Sequence, residues 1–208
     1  MLTENKSCLS YWFPKLEVEG IPVPKTEIIT TDIDLDQLLE NTVPEGFSQF
    51  VSAIQAAGDR LGYPCFLRTG HTSGKHDWLR TCYLDHPCSN VIGQHIVDLV
   101  EFSVCVDFFG LPTRVWAVRE LLKTEPAFHA FHGLPITKER RYFIRDGKVE
   151  HHQPYWPPGA IAGHTEEPLW QELLAELNDE TPETLTALTH LSEQVAAVMD
   201  GYWSVDWL

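Results

Sequence analysis

The stretch FLRTGHTSGKHDW, residues 66–78, decides how the rest of the chain is read. Gly70, Gly74 and Lys75 among small hydroxyl residues suggest a phosphate loop. A P-loop, however, needs GxxxxGK followed by Ser or Thr, so that successive backbone N–H groups wrap a phosphate and the hydroxyl reaches the metal. Here Gly70 and Gly74 stand one residue too close, and His76 occupies the hydroxyl position. The P-loop reading fails. What remains is a cation, Arg68, at the end of the strand-like run YPCFLR, followed at once by a Gly/Ser/Thr/His loop that carries Lys75 and Asp77.

Upstream of this stretch, Phe47, Phe50, Val51, Ile54, Ala57 and Leu61 recur at helical spacing and Gly62 stops them. Before that helix, the β-branched run from Glu27 to Thr31 reads as a strand, and Pro14, Pro22 and Pro24 predict an extended N-terminal segment packed by Tyr11, Trp12 and Phe13. Downstream, Ile92, Ile96, Leu99, Val100, Val104 and Phe108 step by three and four residues, which predicts a helix over residues 89–110. TRVWAVRELL alternates as a strand, and KERRYFIRDGKVEHHQPYW has the pattern of a hairpin turning at Asp146-Gly147. Two amphipathic helices follow, over residues 166–178 and 182–200, with acidic outer faces, and YWSVDWL begins a last strand.

A chain of 208 residues, 43% hydrophobic and 22% charged, is long enough for a proper core and has the composition of a folded globular protein. Its formal net charge of −15 opposes a nucleic-acid partner, whose binding neutralises many phosphates at once. The 15 Lys plus Arg are scarce enough that their clustering carries information. Five cysteines without a CxxC pair favour a reducing compartment, and Cys82, His86 and Cys88 lack a second pair at zinc-finger spacing. Thr3, Glu4, Asn5 and Lys6 open the chain without a signal-peptide core, and no apolar run reaches membrane-spanning length. A cytoplasmic protein without a membrane partner is the expectation.

Arg68, Arg119 and Arg141 fall on strand-like segments beside apolar residues, and Lys75 lies on the loop. Half-buried guanidinium needs an anion. For any one arginine Glu120, Glu139 or Asp206 could supply it as an internal ion pair. Convergence of four cations points instead to a nucleotide triphosphate, since planar bidentate donors suit phosphate oxygens.

In chain order, YPCFLRTGHTSGKHDW, VWAVRELL, HGLPITKERRYFIRDGKVEHHQPYW and YWSVDWL resemble the nucleotide-binding strands of the ATP-grasp superfamily. The similarity is to its bacteriophage and bacterial branch of unassigned substrate, and to the eukaryotic ATP-grasp chaperone that assembles a translation initiation factor. The resemblance covers most of residues 20–208. It implies an α+β fold in which two α+β lobes hold the nucleotide between antiparallel sheets. The chain divides accordingly into an extended segment (residues 1–19), a first lobe with the loop at 69–78 (residues 20–118) and a second lobe (residues 119–208).

It further implies that Arg68 contacts the α-phosphate side and that residues 69–78 form a mobile lid with Lys75 as its cation. Arg119, Glu120, Leu121 and Leu122 would meet the adenine edge. Glu139, Arg140 and Arg141 match an E-x-R strand with Arg141 on phosphate, and Val205-Asp206 would bring a carboxylate to Mg²⁺. The superfamily places a further strand, ending in an acidic residue and Asn, beyond the position of Leu208, so the second lobe is expected to lack its last metal-binding strand. The implied cofactors are ATP and Mg²⁺. The implied activity is an ATP-dependent carboxylate–amine ligase working through an acyl phosphate, with Arg68, Lys75 and Arg141 stabilising charge and with the carboxylate substrate unidentified.

Two other functions stay open at this point: a nucleotide-dependent binding or assembly module without turnover, and a nucleotidyltransferase using Lys75. The last rests on KHD, residues 75–77, which is similar to the KxDG of nucleic-acid ligases but has Trp78 in place of glycine. His129 and His132 lack a third metal ligand nearby in sequence and read as packing or surface residues. His151 and His152 alternate on a strand, so at most one faces a cleft.

Overall fold

A computed structural model describes residues 5–106 and 110–208; Thr3, Glu4 and Phe108, used above, lie outside them. The chain forms two compact units. The first takes Pro24–Lys123 with the N-terminal residues through Tyr11, and the second takes Trp12–Val23 and Thr124–Leu208. The division thus falls after Lys123 rather than after Val118, because the strand Val115–Glu120 is an inner strand of the first unit's sheet. Among the described residues no helix is long and apolar enough to cross a membrane.

Helix α1 (Leu9–Val18) corrects the expectation of an extended segment. Pro14 lies inside it and removes one backbone donor. Leu9, Phe13 and Leu16 are buried at helical spacing, and that apolar stripe outweighs the lost hydrogen bond.

In the first unit, β1 (Thr26–Thr30), β2 (Cys65–Thr69), β3 (Tyr83–Leu84) and β4 (Val115–Glu120) form one antiparallel sheet in the order β1-β4-β2-β3. Helices α2 (Phe47–Leu61) and α4 (Ser89–Cys105) cover one face, and the short α3 (Trp78–Thr81) leads into β3. The core is built from alternating strand positions, Cys65, Leu67, Trp116 and Val118, against Phe50, Ile54, Ile92, Ile96 and Leu99. Trp116 meets the Phe50 ring edge-on at 5.6 Å and donates its indole N–H to the Thr113 carbonyl at 2.6 Å. The helix predicted over residues 89–110 ends at Cys105, and Val104 is exposed rather than part of the buried stripe.

The second unit holds two small antiparallel sheets. β5 (Phe128–Ala130) pairs with β6 (Leu134–Ile136) in a short hairpin. Its connection, Phe131, His132 and Gly133, takes positive φ throughout, which hides the turn from a search for Asn-Gly or Asp-Gly. β7 (Arg140–Arg145) is central between β8 (Lys148–Pro154) and β9 (Tyr202–Trp207). The β7–β8 turn is at Asp146-Gly147 as expected, both at positive φ. After α5 (Pro158–Ile161) and α6 (Trp170–Asn178), α7 (Pro182–Val198) packs on β7 and β8. Trp207 ties β9 to α7 by donating to Ser192 Oγ at 2.8 Å.

Arg60 at the end of α2 fastens that helix to β1 through Glu27, with Nε to Oε1 at 2.8 Å. The hydrogen bond from Arg60 holds the Glu27 carboxyl below its ordinary value of 4.5. A carboxylate depressed in the folded state contributes stability that is complete above the unfolded value and is lost as pH falls through the folded one. Glu27→Gln should therefore destabilise the protein near neutrality, and its difference from the wild type should shrink as pH falls below the ordinary carboxyl value of 4.5, read as melting temperatures.

Candidate functional site

The register of the first unit's sheet sorts its cations. Arg68 lies opposite Ala117, and Arg119 lies opposite Phe66 and Thr26, so both arginines project from the sheet face turned away from α2 and α4. They are diagonal neighbours on that face. Arg68 donates from Nε to the Thr69 carbonyl at 3.0 Å, and Arg119 donates from Nε to Thr26 Oγ1 at 3.2 Å. Burial pushes Arg68 down to about 10, and burial together with the charge of Arg68 does the same to Arg119. Both still carry full charge at neutral pH, in surroundings that would gain from a counter-anion.

Residues 69–78 correct the expectation of a mobile lid. Thr69 is buried, and its Oγ1 accepts from the N–H groups of His71 and Thr72 at 3.2 and 3.0 Å. Gly70 N donates to the Val115 carbonyl and Gly70 O accepts from Leu9 N. Ser7 Oγ lies 3.2 Å from His71 Nδ1, so the N-terminal segment covers this turn. Further along, Gly74 takes φ +60° to start a one-turn 3-10 helix, Lys75–Asp77, and Thr81 Oγ1 donates to its carbonyl at 2.8 Å. The two glycines permit close packing rather than motion. Lys75, expected on the lid, stands close enough to Cys82 to oppose the upward push that burial exerts on that thiol.

Of the expected adenine-edge residues, Glu120 has its N–H bonded to the Lys25 carbonyl and its Oε1 accepting from Lys25 N at 2.8 Å. Leu121 and Leu122 follow β4 as irregular chain, Leu122 exposed.

In the second unit the consecutive arginines divide. Arg140, not Arg141, is the buried one, 2% exposed. Its guanidinium donates to the carbonyls of Glu139, Leu177 and Asp179 and lies 3.4 Å from Glu180 Oε1. Arg141 is half-buried on the opposite face, holds Asp206 by two bonds of 2.7 and 2.8 Å, and lies over the Tyr155 ring at 4.4 Å. The expected phosphate contact and the expected metal ligand therefore form a bidentate ion pair. Glu139 Oε1 accepts the Trp156 indole N–H at 2.9 Å. Among the described residues no three of His, Cys, Asp and Glu gather to hold a metal ion. The Asp206 carboxylate expected at Mg²⁺ is engaged by Arg141.

Arg140, the unassigned middle position of the E-x-R match, is thus the arginine that carries the structural load. The alternation along RRYFIR was the usable signal, because Arg140 shares its phase with the buried Tyr142 and Ile144.

No family model matches the sequence, and no curated protein matches it. Solved structures do match. C-terminally truncated Cdc123 from Schizosaccharomyces pombe aligns over 99% of this chain and 81% of its own at 15% identity, with a TM-score of 0.59. Cdc123 from the same organism gives 0.57 over 99% and 80% at 15% identity. A RimK domain protein ATP-grasp from Sphaerobacter thermophilus DSM 20745 aligns over 96% of this chain at 14% identity with a TM-score of 0.50. The chain has the ATP-grasp fold. It spans about half of that RimK domain protein, 53%, so the likeness is one of architecture. The helices and antiparallel sheets expected from the sequence are those of the ATP-grasp neighbours.

Two substitutions test the packing described here. An added Cβ at Gly70 would stand 2.6 Å from Cys8 Sγ and 3.0 Å from Val115 Cβ. Gly70→Ala should cost about 1–3 kcal/mol in urea unfolding, partly recovered by adding Cys8→Ala; an unchanged midpoint would restore the lid reading. Arg140→Met, which strands Glu180, should cost about 3 kcal/mol by the same measurement, more than Arg141→Met at its half-exposed pair.

Proposed function

We propose that this protein binds ATP and that Arg68 and Arg119 hold its phosphates. The observation that carries this reading is the placement of two partly buried guanidiniums as diagonal neighbours on one sheet face, both pushed down to about 10. An anion above them would offset both burial and mutual repulsion, and guanidinium matches phosphate oxygens bidentately. The backbone of Leu121 and Leu122, which leave the end of β4, would lie along the adenine edge. Likeness in fold to the ATP-grasp structures supports the same choice.

The activity to which this extends is a carboxylate–amine ligase. ATP would phosphorylate a carboxylate, releasing ADP, and an amine would displace phosphate from the acyl phosphate. The chain's arginines would stabilise negative charge on the transferring group rather than form covalent bonds. The second reading, a nucleotide-dependent binding module without turnover, is favoured by the bidentate Arg141–Asp206 pair, which occupies the carboxylate expected at the metal.

ATP at a hundredfold excess over its dissociation constant should stabilise the protein by about 2.7 kcal/mol, read as a shift in melting temperature. Arg68→Met and Arg119→Met, which keep the apolar stems, should each remove most of that shift. Equal stabilisation of both variants and wild type would overturn the site. ADP release that depends on an added carboxylate and amine selects the ligase reading; tight binding without it selects the module. An AMP adduct by intact mass, lost in Lys75→Ala, would point to nucleotidyl transfer in place of both.

A further inference from the structure

Four strands each contribute one residue to a single row across the open face of the first unit's sheet: Thr26 on β1, Arg119 on β4, Phe66 on β2 and Tyr83 on β3. Arg68 belongs to the next row, opposite Ala117. On one side of Arg119 stands the Phe66 ring, packed against Trp78 at 5.8 Å, and on the other the Thr26 hydroxyl. Arg119 Nε donates to that hydroxyl at 3.2 Å.

The state of the hydroxyl follows from its other bond. Thr26 Oγ1 donates to the Pro24 carbonyl at 2.8 Å, so its one proton is committed and only lone pairs face Arg119. The backbone beside it is fastened too: Glu120 N–H meets the Lys25 carbonyl at 2.9 Å, and Lys25 N–H meets Glu120 Oε1 at 2.8 Å. Thr26 is therefore a fixed acceptor, next to the point where β1 is pinned to the end of β4.

A brace matters here because two like charges share the face. Arg68 and Arg119 are both charged at neutral pH, and the charge of Arg68 adds to burial in pushing Arg119 down to about 10. Repulsion favours rotamers in which the two guanidiniums part. Each is tethered at the same atom, Arg68 Nε to the Thr69 carbonyl at 3.0 Å and Arg119 Nε to Thr26. Guanidinium is planar, so fixing Nε directs the Nη1–Nη2 edge, which can meet a phosphate with two parallel bonds. The tethers differ in kind. A backbone carbonyl is present whatever residue stands at position 69, whereas the acceptor for Arg119 is a side chain and depends on the residue at position 26.

We propose that Thr26 is a positioning residue of the phosphate site, its Oγ1 holding the Arg119 guanidinium beside Arg68 so that both can meet one polyphosphate. The inference rests on the nucleotide reading and adds to it a residue that acts through Arg119 rather than on the ligand. Calorimetry with ATP and with tripolyphosphate compares the wild type, Thr26→Val, Thr26→Ser, Arg119→Met and the double variant of Thr26→Val with Arg119→Met. Thr26→Val keeps the side-chain shape without the acceptor and should weaken both ligands by about tenfold, as should Thr26→Ala. Thr26→Ser, which restores the hydroxyl, should stay within about twofold of the wild type. Thr26→Val should add nothing to Arg119→Met, because the two residues act as one unit. In the ligand-free protein the ¹⁵Nε–H of Arg119 should exchange faster with water in Thr26→Val than in the wild type or Thr26→Ser. Undiminished binding by folded Thr26→Val and Thr26→Ala, failure of Thr26→Ser to restore it, an additive loss in the double variant, or unchanged Nε exchange would each overturn the role of Thr26 while leaving the nucleotide reading in place. A wild type that binds neither probe would overturn the nucleotide reading and this role with it, and the Nε exchange would still report whether the brace exists.

Discussion

The antiparallel register between β2 and β4 is the constraint on which the first unit rests. Cys65 and Leu67 share a face with Trp116 and Val118 and enter the core, while Phe66 and Arg68 share the other with Ala117 and Arg119. Because side chains alternate with a period of two, a slip of one residue in β4 would drive Arg119 into the helices and expose the Trp116 indole, and the same slip in β2 would drive Arg68 inward. The penalty for a buried, unpaired guanidinium makes that alternative inaccessible. Hydrophobic packing thus sets the position of the charged face: Trp116, locked by Phe50 and by the Thr113 carbonyl, determines where Arg119 points.

The same alternation gives consecutive arginines of the second unit unlike roles. Arg140 goes inward, where three backbone carbonyls and Glu180 absorb its charge, and it fastens the end of α6 to β7. Arg141 goes outward, to a carboxylate on β9 and the face of Tyr155. Planarity and five fixed donors allow one guanidinium to satisfy several carbonyls at once, which an ammonium on a flexible stem does less well. Both arginines hold elements together, yet only Arg141 does so with an anion that a competing ligand could displace into solvent.

Much of this was legible in the sequence. Helices α2 and α4, strands β2 and β4, and the β7–β8 hairpin all announced themselves by period and by turn residues, because each has one clean apolar face. What escaped has a physical cause in each case. Pro14 reads as a helix breaker unless the burial of Leu9, Phe13 and Leu16 is known, and that burial is tertiary. The β5–β6 hairpin has strands of three residues, too short for alternation to register. Gly70 and Gly74 read as flexibility, but one glycine is required by the closeness of Cys8 and the other by a left-handed turn, and neither neighbour is adjacent in sequence. The pairing of Arg68 with Arg119 on one face required the strand order β1-β4-β2-β3, which no local pattern encodes.

An anion site on a molecule of net charge −15 looks at first like a contradiction. It is resolved by range. At physiological ionic strength charges are screened over roughly 8 Å, so a phosphate held by Arg68 and Arg119 responds to those two groups and to their low-dielectric surroundings, not to acidic helices elsewhere. Arg60, Arg80, Arg140, Arg141 and Arg145 each have a carboxylate within 4 Å, so they add little to a distant field. The sheet then separates two local environments of opposite preference: guanidiniums on its open face and, under the helices packed on its other face, an apolar core. A backbone that is neutral on average supports both because each depends on contacts of a few ångströms, and in this chain the alternation of strand residues and the periodicity of α4 decide which contacts those are.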